Sequence, residues 1–370
     1  MKVFGSKELI ESVINAGLCS GCGACVSLCP YLKSYEGKTA MLFPCTRTEG
    51  RCFAFCPKVE VDLDEVSNAI FGKPYSGAPL GHYRAVKAAR AGSRMKRGNF
   101  QAGGTVSSLM AYALEKKIID AAVLTGREGI RPVPRIVTSP DAVADSASSN
   151  YSAAPTVAAV NQAMKEGYRR IGVVATPCQA LALAQIRSNP MKEQGFSDPT
   201  ALVTGIFCTW ALDYRRFRKL LEGRVDISAI TKMDIPPPPA EKMEIFTKNG
   251  TIEIPLNEVR AQVPEGCGYC IDMTAEFSDL SVGVHEGRSD CNTLIIRTER
   301  GAAVVDGAVR DGYLEVSDLP AANLEHLTIA AGNKKRRAMD RAAGKGLVNT
   351  GEGRCAAVRL SSAAAQGGGR

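Results

Sequence analysis

Seven of the 13 cysteines in this 370-residue chain fall between residues 19 and 56: Cys19, Cys22, Cys25, Cys29, Cys45, Cys52 and Cys56. The first run, CSGCGACVSLCP, has the spacing C-x2-C-x2-C-x3-C-P. At that spacing one tight loop brings three thiolates to a [4Fe–4S] cube while the fourth cysteine turns away to a second cluster. Gly21 and Gly23 suit a backbone folded around a cube, which needs conformations that side chains obstruct. Zinc is the alternative, but zinc sites usually pair two separated C-x2-C knuckles. Downstream, FPCTRTEGRCFAFCP repeats the ending as Cys52-x3-Cys56-Pro57, so Cys56 is expected to complete the cluster of Cys19, Cys22 and Cys25. Cys29, Cys45 and Cys52 then supply a second cluster with three thiolates where four are usual. Either another kind of ligand or a distant cysteine completes it, or that cluster is absent or labile.

Two later cysteines have matching settings. RRIGVVATPCQALALAQI reads as a buried strand from Ile171 to Ala175, a turn at Thr176-Pro177-Cys178, and a helix. ALVTGIFCTWALDYRRFRKLL reads the same way, with Cys208 just past a strand from Val203 to Phe207. Both cysteines thus fall at the carboxyl ends of consecutive strands, where open α/β sheets collect their ligands. Cys267 and Cys270 form an unpartnered C-x2-C, and the four together make the number for another cube. Single buried cysteines acting as small hydrophobes are the competing reading. Cys291 and Cys355 stay unassigned.

The elements that would position these groups follow from the hydrophobic pattern. VDLDEVSNAIFG (61–72) reads as a short amphipathic helix and KPYSGAPLGH as a linker. YRAVKAARA and AAVLTG (121–126) are candidate strands, and between them GGTVSSLMAYALEKK carries Val106, Leu109, Ala113 and Leu114 at helical spacing. Its start after Gly103-Gly104 exposes unpaired N–H groups that suit a phosphate or a flavin edge, although a plain tight turn explains the glycines equally. MDIPPPPAEK is a stiff connector, and MEIFTKNGTIEIPL a hairpin turning at Asn249-Gly250. From about Lys334, KKRRAMDRAAGKG and the ending SSAAAQGGGR are expected to form a frayed helix and then a disordered tail.

Composition bounds the rest. The length suits two or three domains at roughly 100–200 residues each. With 45% hydrophobic residues and a net charge of +8, the chain is of globular type. The first residues, MKVFGSKELIESV, lack a signal-peptide core, and no stretch approaches the ~18 apolar residues of a spanning helix. A cytoplasmic protein without a membrane span is expected, in which reduced thiols serve as metal ligands rather than disulfides. The excess positive charge lies largely in the tail, and no nucleic-acid-binding motif accompanies it.

In order, FQAGGTVSSLMAYALEKKIIDAAVLTG, SNYSAAPTVAAV, VVATPCQALALAQI, GIFCTWALDYRRF, KMDI, CGYCIDMTAEFSDLSVG and NTLIIRTERG resemble the β subunits of the coenzyme F420-dependent hydrogenase/dehydrogenase family. The likeness covers roughly residues 83–335, with a ferredoxin-like extension before it. It implies an α/β fold in which an N-terminal two-cluster ferredoxin-like domain (1–60) and a linker (61–82) precede an α/β flavin-binding domain (83–335). That domain would have a largely parallel sheet and a small β insertion, followed by a flexible basic tail (336–370). It implies FAD beside one [4Fe–4S] cluster ligated by Cys178, Cys208, Cys267 and Cys270, and so two or three 4Fe–4S clusters per chain. Gly103, Gly104 and Thr105, with Asn150, Tyr151 and Ser152, look like part of the flavin site. In one departure, Ser148-Ser149-Asn150-Tyr151 stands where the F420-reducing hydrogenase has Gly-Thr-Lys-Tyr, so a cation near the flavin or the anionic deazaflavin arm is missing.

The implied activity is that of an oxidoreductase. Electrons would move between a hydride carrier, reduced coenzyme F420 or NAD(P)H, the FAD and the clusters, because a flavin exchanges hydride for single electrons. The expected setting is a complex with other subunits of a hydrogenase, formate dehydrogenase or heterodisulfide-reductase type. A stand-alone reductase of an organic or sulfur substrate and a non-catalytic iron–sulfur relay are the competing functions. No acid or base is needed at the hydride step. Of His82, His285 and His326, His285 lies in a family motif region, though a surface position is the expectation for it.

Overall fold

The computed structural model describes residues 2–95, 100–236, 239–351 and 358–359. In the cysteine-rich segment, helix α1 (Ser6–Leu9) runs into a π-helical turn, Ile10–Ile14. A hairpin of β1 (Leu32–Tyr35) and β2 (Lys38–Met41), the short helix α2 (Arg51–Ala54) and strand β3 (Val61–Asp62) follow. Helix α3 (Leu63–Phe71) lies where the amphipathic pattern placed it. Asp62 caps it by accepting the N–H groups of Asp64 and Glu65, and Gly72 ends it in the left-handed conformation at φ 64°.

The larger region alternates strands and helices. In order come β4 (Ala85–Ala91), α4 (Thr105–Glu115), β5 (Ala121–Glu128), β6 (Arg131–Val137), α5 (Thr156–Lys165), β7 (Ile171–Ala175), α6 (Pro177–Arg187), β8 (Thr200–Ile206) and α7 (Tyr214–Leu221). Then follow β9 (Ile230–Asp234), β10 (Lys242–Thr247), β11 (Gly250–Pro255), α8 (Leu256–Arg260), β12 (Leu280–Val284), β13 (Asn292–Ile296), α9 (Glu299–Arg310), β14 (Leu314–Asp318), α10 (Ala321–Ala343), β15 (Val348–Asn349) and β16 (Val358–Arg359).

Eight strands form the main sheet in the order β14-β4-β13-β12-β8-β7-β5-β6. Its centre is parallel, through the β5–β7, β7–β8 and β8–β12 pairs, while antiparallel pairs close both sides. The parallel strands read as apolar runs because helices cover both faces: Ile171, Val173, Leu202 and Val203 are fully buried. Helix α4 packs with Leu124, Leu280 and Leu294 on one side, and α5 and α6 pack with Val123, Val173 and Val203 on the other. Sequence thus located the paired cysteine-bearing turns correctly: Cys178 and Cys208 follow β7 and β8 at the same edge of the sheet.

The small β insertion is a three-stranded sheet, β11-β10-β9, with its own apolar core around Phe217, Met243 and Ile245. Its hairpin turns one residue earlier than expected, at Lys248-Asn249, with Thr247 paired to Gly250. The Thr247 hydroxyl decides this: it accepts the Asn249 N–H and donates to the Gly250 carbonyl. Residues 237–238 of the proline connector lie outside the described residues.

Two stretches read as linker and tail are instead packed. In the 73–82 segment, Tyr75 is buried and stacks on Phe277 at 6.0 Å between ring centroids. Helix α10 crosses the expected boundary at 335 and continues to Ala343, with Lys334, Lys335, Ala338 and Ala342 buried. Lys335 is the reason these two stretches stay together. Its Nζ donates to Tyr75 Oη and the Ala78 carbonyl, both at 2.7 Å, and pairs with Glu276 at 2.8 Å. Beyond α10, β16 joins β3 and β15 in a small parallel sheet. Cys355 and the SSAAAQGGGR ending lie outside the described residues.

The Lys335–Glu276 pair has side chains only 4% and 2% exposed. Removing one partner of such a pair strands a buried charge, so Lys335→Met should cost about 3–5 kcal/mol in urea unfolding. The double variant Lys335→Met/Glu276→Gln should recover part of that loss, and a single-variant cost under about 1 kcal/mol would show the pair to be solvated.

Candidate functional site

The thiols gather in three neighbouring groups. Cys19, Cys22, Cys25 and Cys56 line one recess, walled by Leu9, Val13 and Ile14. Cys22, Cys25 and Cys56 are each 8% exposed. Burial pushes the Cys56 thiol up to about 12 and those of Cys22 and Cys25 well above their usual range, with the neighbouring thiols adding to the effect. Cys52 lies within electrostatic reach of Cys29 and Cys45, and its thiol is likewise raised, mainly by burial. Burial raises the Cys208 thiol, and Cys178, Cys267 and Cys270 lie near enough to add to the effect. The groups also adjoin one another: Cys22 interacts with Cys178, and Cys25 with Cys52.

Local structure explains the positions. Cys178 is the second residue of α6, whose capping box joins Thr176 and Gln179, so the positive end of the helix dipole faces the thiols. Cys208 is fixed by its N–H bond to the Met273 carbonyl, 2.9 Å. Cys267 and Cys270 belong to a tight 3-10 turn over Glu265–Tyr269 and its end. Among the described residues, no three His, Cys, Asp or Glu side chains converge on a single-ion site. The donor sets of the two four-thiol groups fit an iron–sulfur cube, in which thiolates sit at separated corners.

The cysteine loop is docked on the larger region. The Val157 N–H at the start of α5 donates to the Cys22 carbonyl at 3.0 Å, and Asn161 Nδ2 donates to the carbonyls of Ala24 and Val26. Gly23, at φ 84°, lies so close that an added Cβ would stand 2.8 Å from the Pro155 oxygen.

The proposed flavin residues lie around the same sheet edge. Gly104 precedes α4 at φ 76°, and the Thr105 N–H reaches Asn292 Oδ1 at 3.3 Å. Asn150 Nδ2 donates to the Thr125 carbonyl within β5. Tyr151 accepts the Ile235 N–H, and burial raises its phenol above the usual range. Ser152 bridges to Leu212. Two buried polar atoms here have no partner among the described residues, Asn150 Oδ1 and Arg127 Nη1, so a polar ligand fits the place. Sequence reading missed Arg127, Gln101 and Asp234. Arg127 donates to the Thr231 carbonyl and Gln101 to Asp234, so both depend on contact with the distant strand β9. Arg127 supplies a cation two residues from the strand position that Asn150 bonds, although the SNYS run carries none. His285 is buried, 3% exposed, rather than at the surface, with Nδ1 against the Glu286 carbonyl. Cys291 is also buried and joins none of the three groups.

An added methyl at Gly23 must push the loop off α5. Gly23→Ala should therefore lower bound iron after anaerobic purification, read as iron per chain, while unaltered iron would show that the loop is held elsewhere.

Comparison with known proteins identifies the family. Residues 86–161 match the model for the coenzyme F420 hydrogenase/dehydrogenase β subunit N-terminal part, residues 168–322 that for its C terminus, and residues 12–32 that for a 4Fe–4S binding domain. The coenzyme F420 hydrogenase subunit beta of Methanococcus voltae is 29% identical over 65% of this chain and 86% of its own. One of the subunits of the F(420)H(2) dehydrogenase of Methanosarcina mazei is 29% identical over 85% of this chain and 89% of its own. A solved chain of the F420-reducing [NiFe] hydrogenase complex from Methanosarcina barkeri shares the fold, with TM-score 0.66 and 23% identity over 72% of this chain and 94% of that one. The chain therefore belongs to the family of coenzyme F420 hydrogenase/dehydrogenase β subunits, which are oxidoreductases, and carries a 4Fe–4S binding motif ahead of the family's own domain.

Proposed function

We propose that this protein is the electron-transfer subunit of a redox complex, moving electrons between reduced coenzyme F420, an FAD at the sheet edge and three [4Fe–4S] clusters. The observation that carries the reading is the unbroken succession of thiol groups from Cys178, Cys208, Cys267 and Cys270, through Cys19, Cys22, Cys25 and Cys56, to Cys29, Cys45 and Cys52. A flavin supplies the exchange of one hydride for two single electrons. Around it, Gly103 and Gly104 would let the backbone approach closely, with the Thr105 N–H held by Asn292 beside them, and Asn150, Tyr151 and Ser152 would bound the opposite wall. Arg127 would balance a phosphate there. Coenzyme F420 rather than NAD(P)H is the favoured hydride partner, because the relatives are named for it.

The succession ends beside an exposed apolar surface. Tyr35, Phe43, Leu42 and Tyr31 are 66%, 63%, 54% and 37% exposed, on and next to the hairpin that precedes Cys45. Such a patch suits a partner subunit of a hydrogenase, formate dehydrogenase or heterodisulfide-reductase type. No helix among the described residues is long and apolar enough to cross a membrane.

Protein purified anaerobically should show near-equimolar flavin, bleached faster by reduced coenzyme F420 than by NADH or NADPH. Broad iron–sulfur absorbance without flavin would overturn the reading. At four irons per cube, iron should be about 12 per chain, and about 8 if the three-thiol group is empty.

A further inference from the structure

Four buried cations bond to the 266–276 segment that carries Cys267 and Cys270, and two buried carboxylates lie in that segment. Lys334, Lys335, Lys58 and Arg297 are 5%, 3%, 8% and 3% exposed, and Asp272 and Glu276 are 7% and 2%. Glu276 is taken by Lys335. Asp272 is turned onto backbone, accepting the N–H groups of Thr274 and Glu276. Arg297 is held by the carbonyls of Leu80, His82 and Thr274 and by the hydroxyls of Ser281 and Thr274.

Among the described residues the other two lysines, Lys334 and Lys58, form no ion pair with a carboxylate, and both donate to the backbone of the cysteine loops. Lys334 Nζ donates to the Cys208 and Asp272 carbonyls, each at 2.6 Å. Lys58 Nζ donates to the carbonyl of Gly266, the neighbour of Cys267, at 3.0 Å. Carbonyl dipoles alone seldom repay the several kcal/mol of burying an ion, which calls for opposite charge nearby.

We propose that Lys334 and Lys58 are the counter-charges of the interior cluster and raise its reduction potential. A cube with four thiolates carries about −2 when oxidised and about −3 after gaining one electron, so fixed cations favour the reduced form. The electron comes from the reduced flavin, and no proton has to follow it, because the ammonium groups already offset the added charge. The inference rests on the cluster assignment made under Proposed function.

The test is an EPR-monitored potentiometric titration, with iron analysis, of the full chain and of Lys334→Gln, Lys334→Arg, Lys58→Gln and Cys208→Ala. The signal lost in Cys208→Ala identifies the interior cluster. In Lys334→Gln the reduced-to-oxidised ratio of that signal at fixed potential should fall about tenfold, a shift of 59 mV to the negative for one electron. Lys58→Gln should shift it in the same direction, and Lys334→Arg should stay within about threefold of the parent. Loss of about four irons in Lys334→Gln but not in Lys334→Arg also supports the proposal, since the charge is then needed to hold the cube. Full iron with unchanged potential in Lys334→Gln and Lys58→Gln overturns it. Equal iron loss in both Lys334 variants with no shift in Lys58→Gln points to packing alone and also overturns it. If the unaltered protein lacks any signal that Cys208→Ala abolishes, the cluster assignment fails first and this inference with it.

Discussion

The bond from the Val157 N–H to the Cys22 carbonyl holds the molecule's two regions in register. One group belongs to the cysteine loop and the other to the first turn of α5, at the edge of the main sheet. Asn161 adds two more bonds to the same loop, and Gly23 lets it approach to van der Waals contact. Single-electron transfer demands fixed, short separations, so a flexible tether would not serve. Three hydrogen bonds and one missing side chain bring the loop this close, because the loop is short and its glycines accept left-handed backbone.

Much of this was legible in the residues. Parallel strands betray themselves as short apolar runs ended by turn residues, and β7 and β8 showed both features, which placed Cys178 and Cys208 at one edge of the sheet. Cysteine spacing is equally local, since C-x2-C-x2-C-x3-C-P states which thiols share a loop. The grouping of distant thiols needed the family likeness, because nothing in the sequence between Cys208 and Cys267 says that they meet.

What escaped was whatever depends on partners far along the chain. KKRRAMDR reads as solvated charge, yet Lys334 and Lys335 turn inward because carbonyls and Glu276 await them. The 73–82 segment reads as a linker because its two prolines and two glycines mark turns, but Tyr75 anchors it. Arg127 carries no motif at all. Its meaning comes from an unsatisfied nitrogen beside a strand end, which only a folded chain displays. The hairpin turn missed by one residue because a threonine hydroxyl outweighed the usual preference for Asn-Gly.

Strand β3, directly after the last cysteine of the first group, finds its partner at residues 358–359. A contact of such long sequence separation forms late in folding, since its loop-closure entropy must be met by everything between. The cysteine segment is therefore synthesised well before the strand that completes its border exists. During that interval its edge is unpaired, which leaves it exposed to wrong pairing.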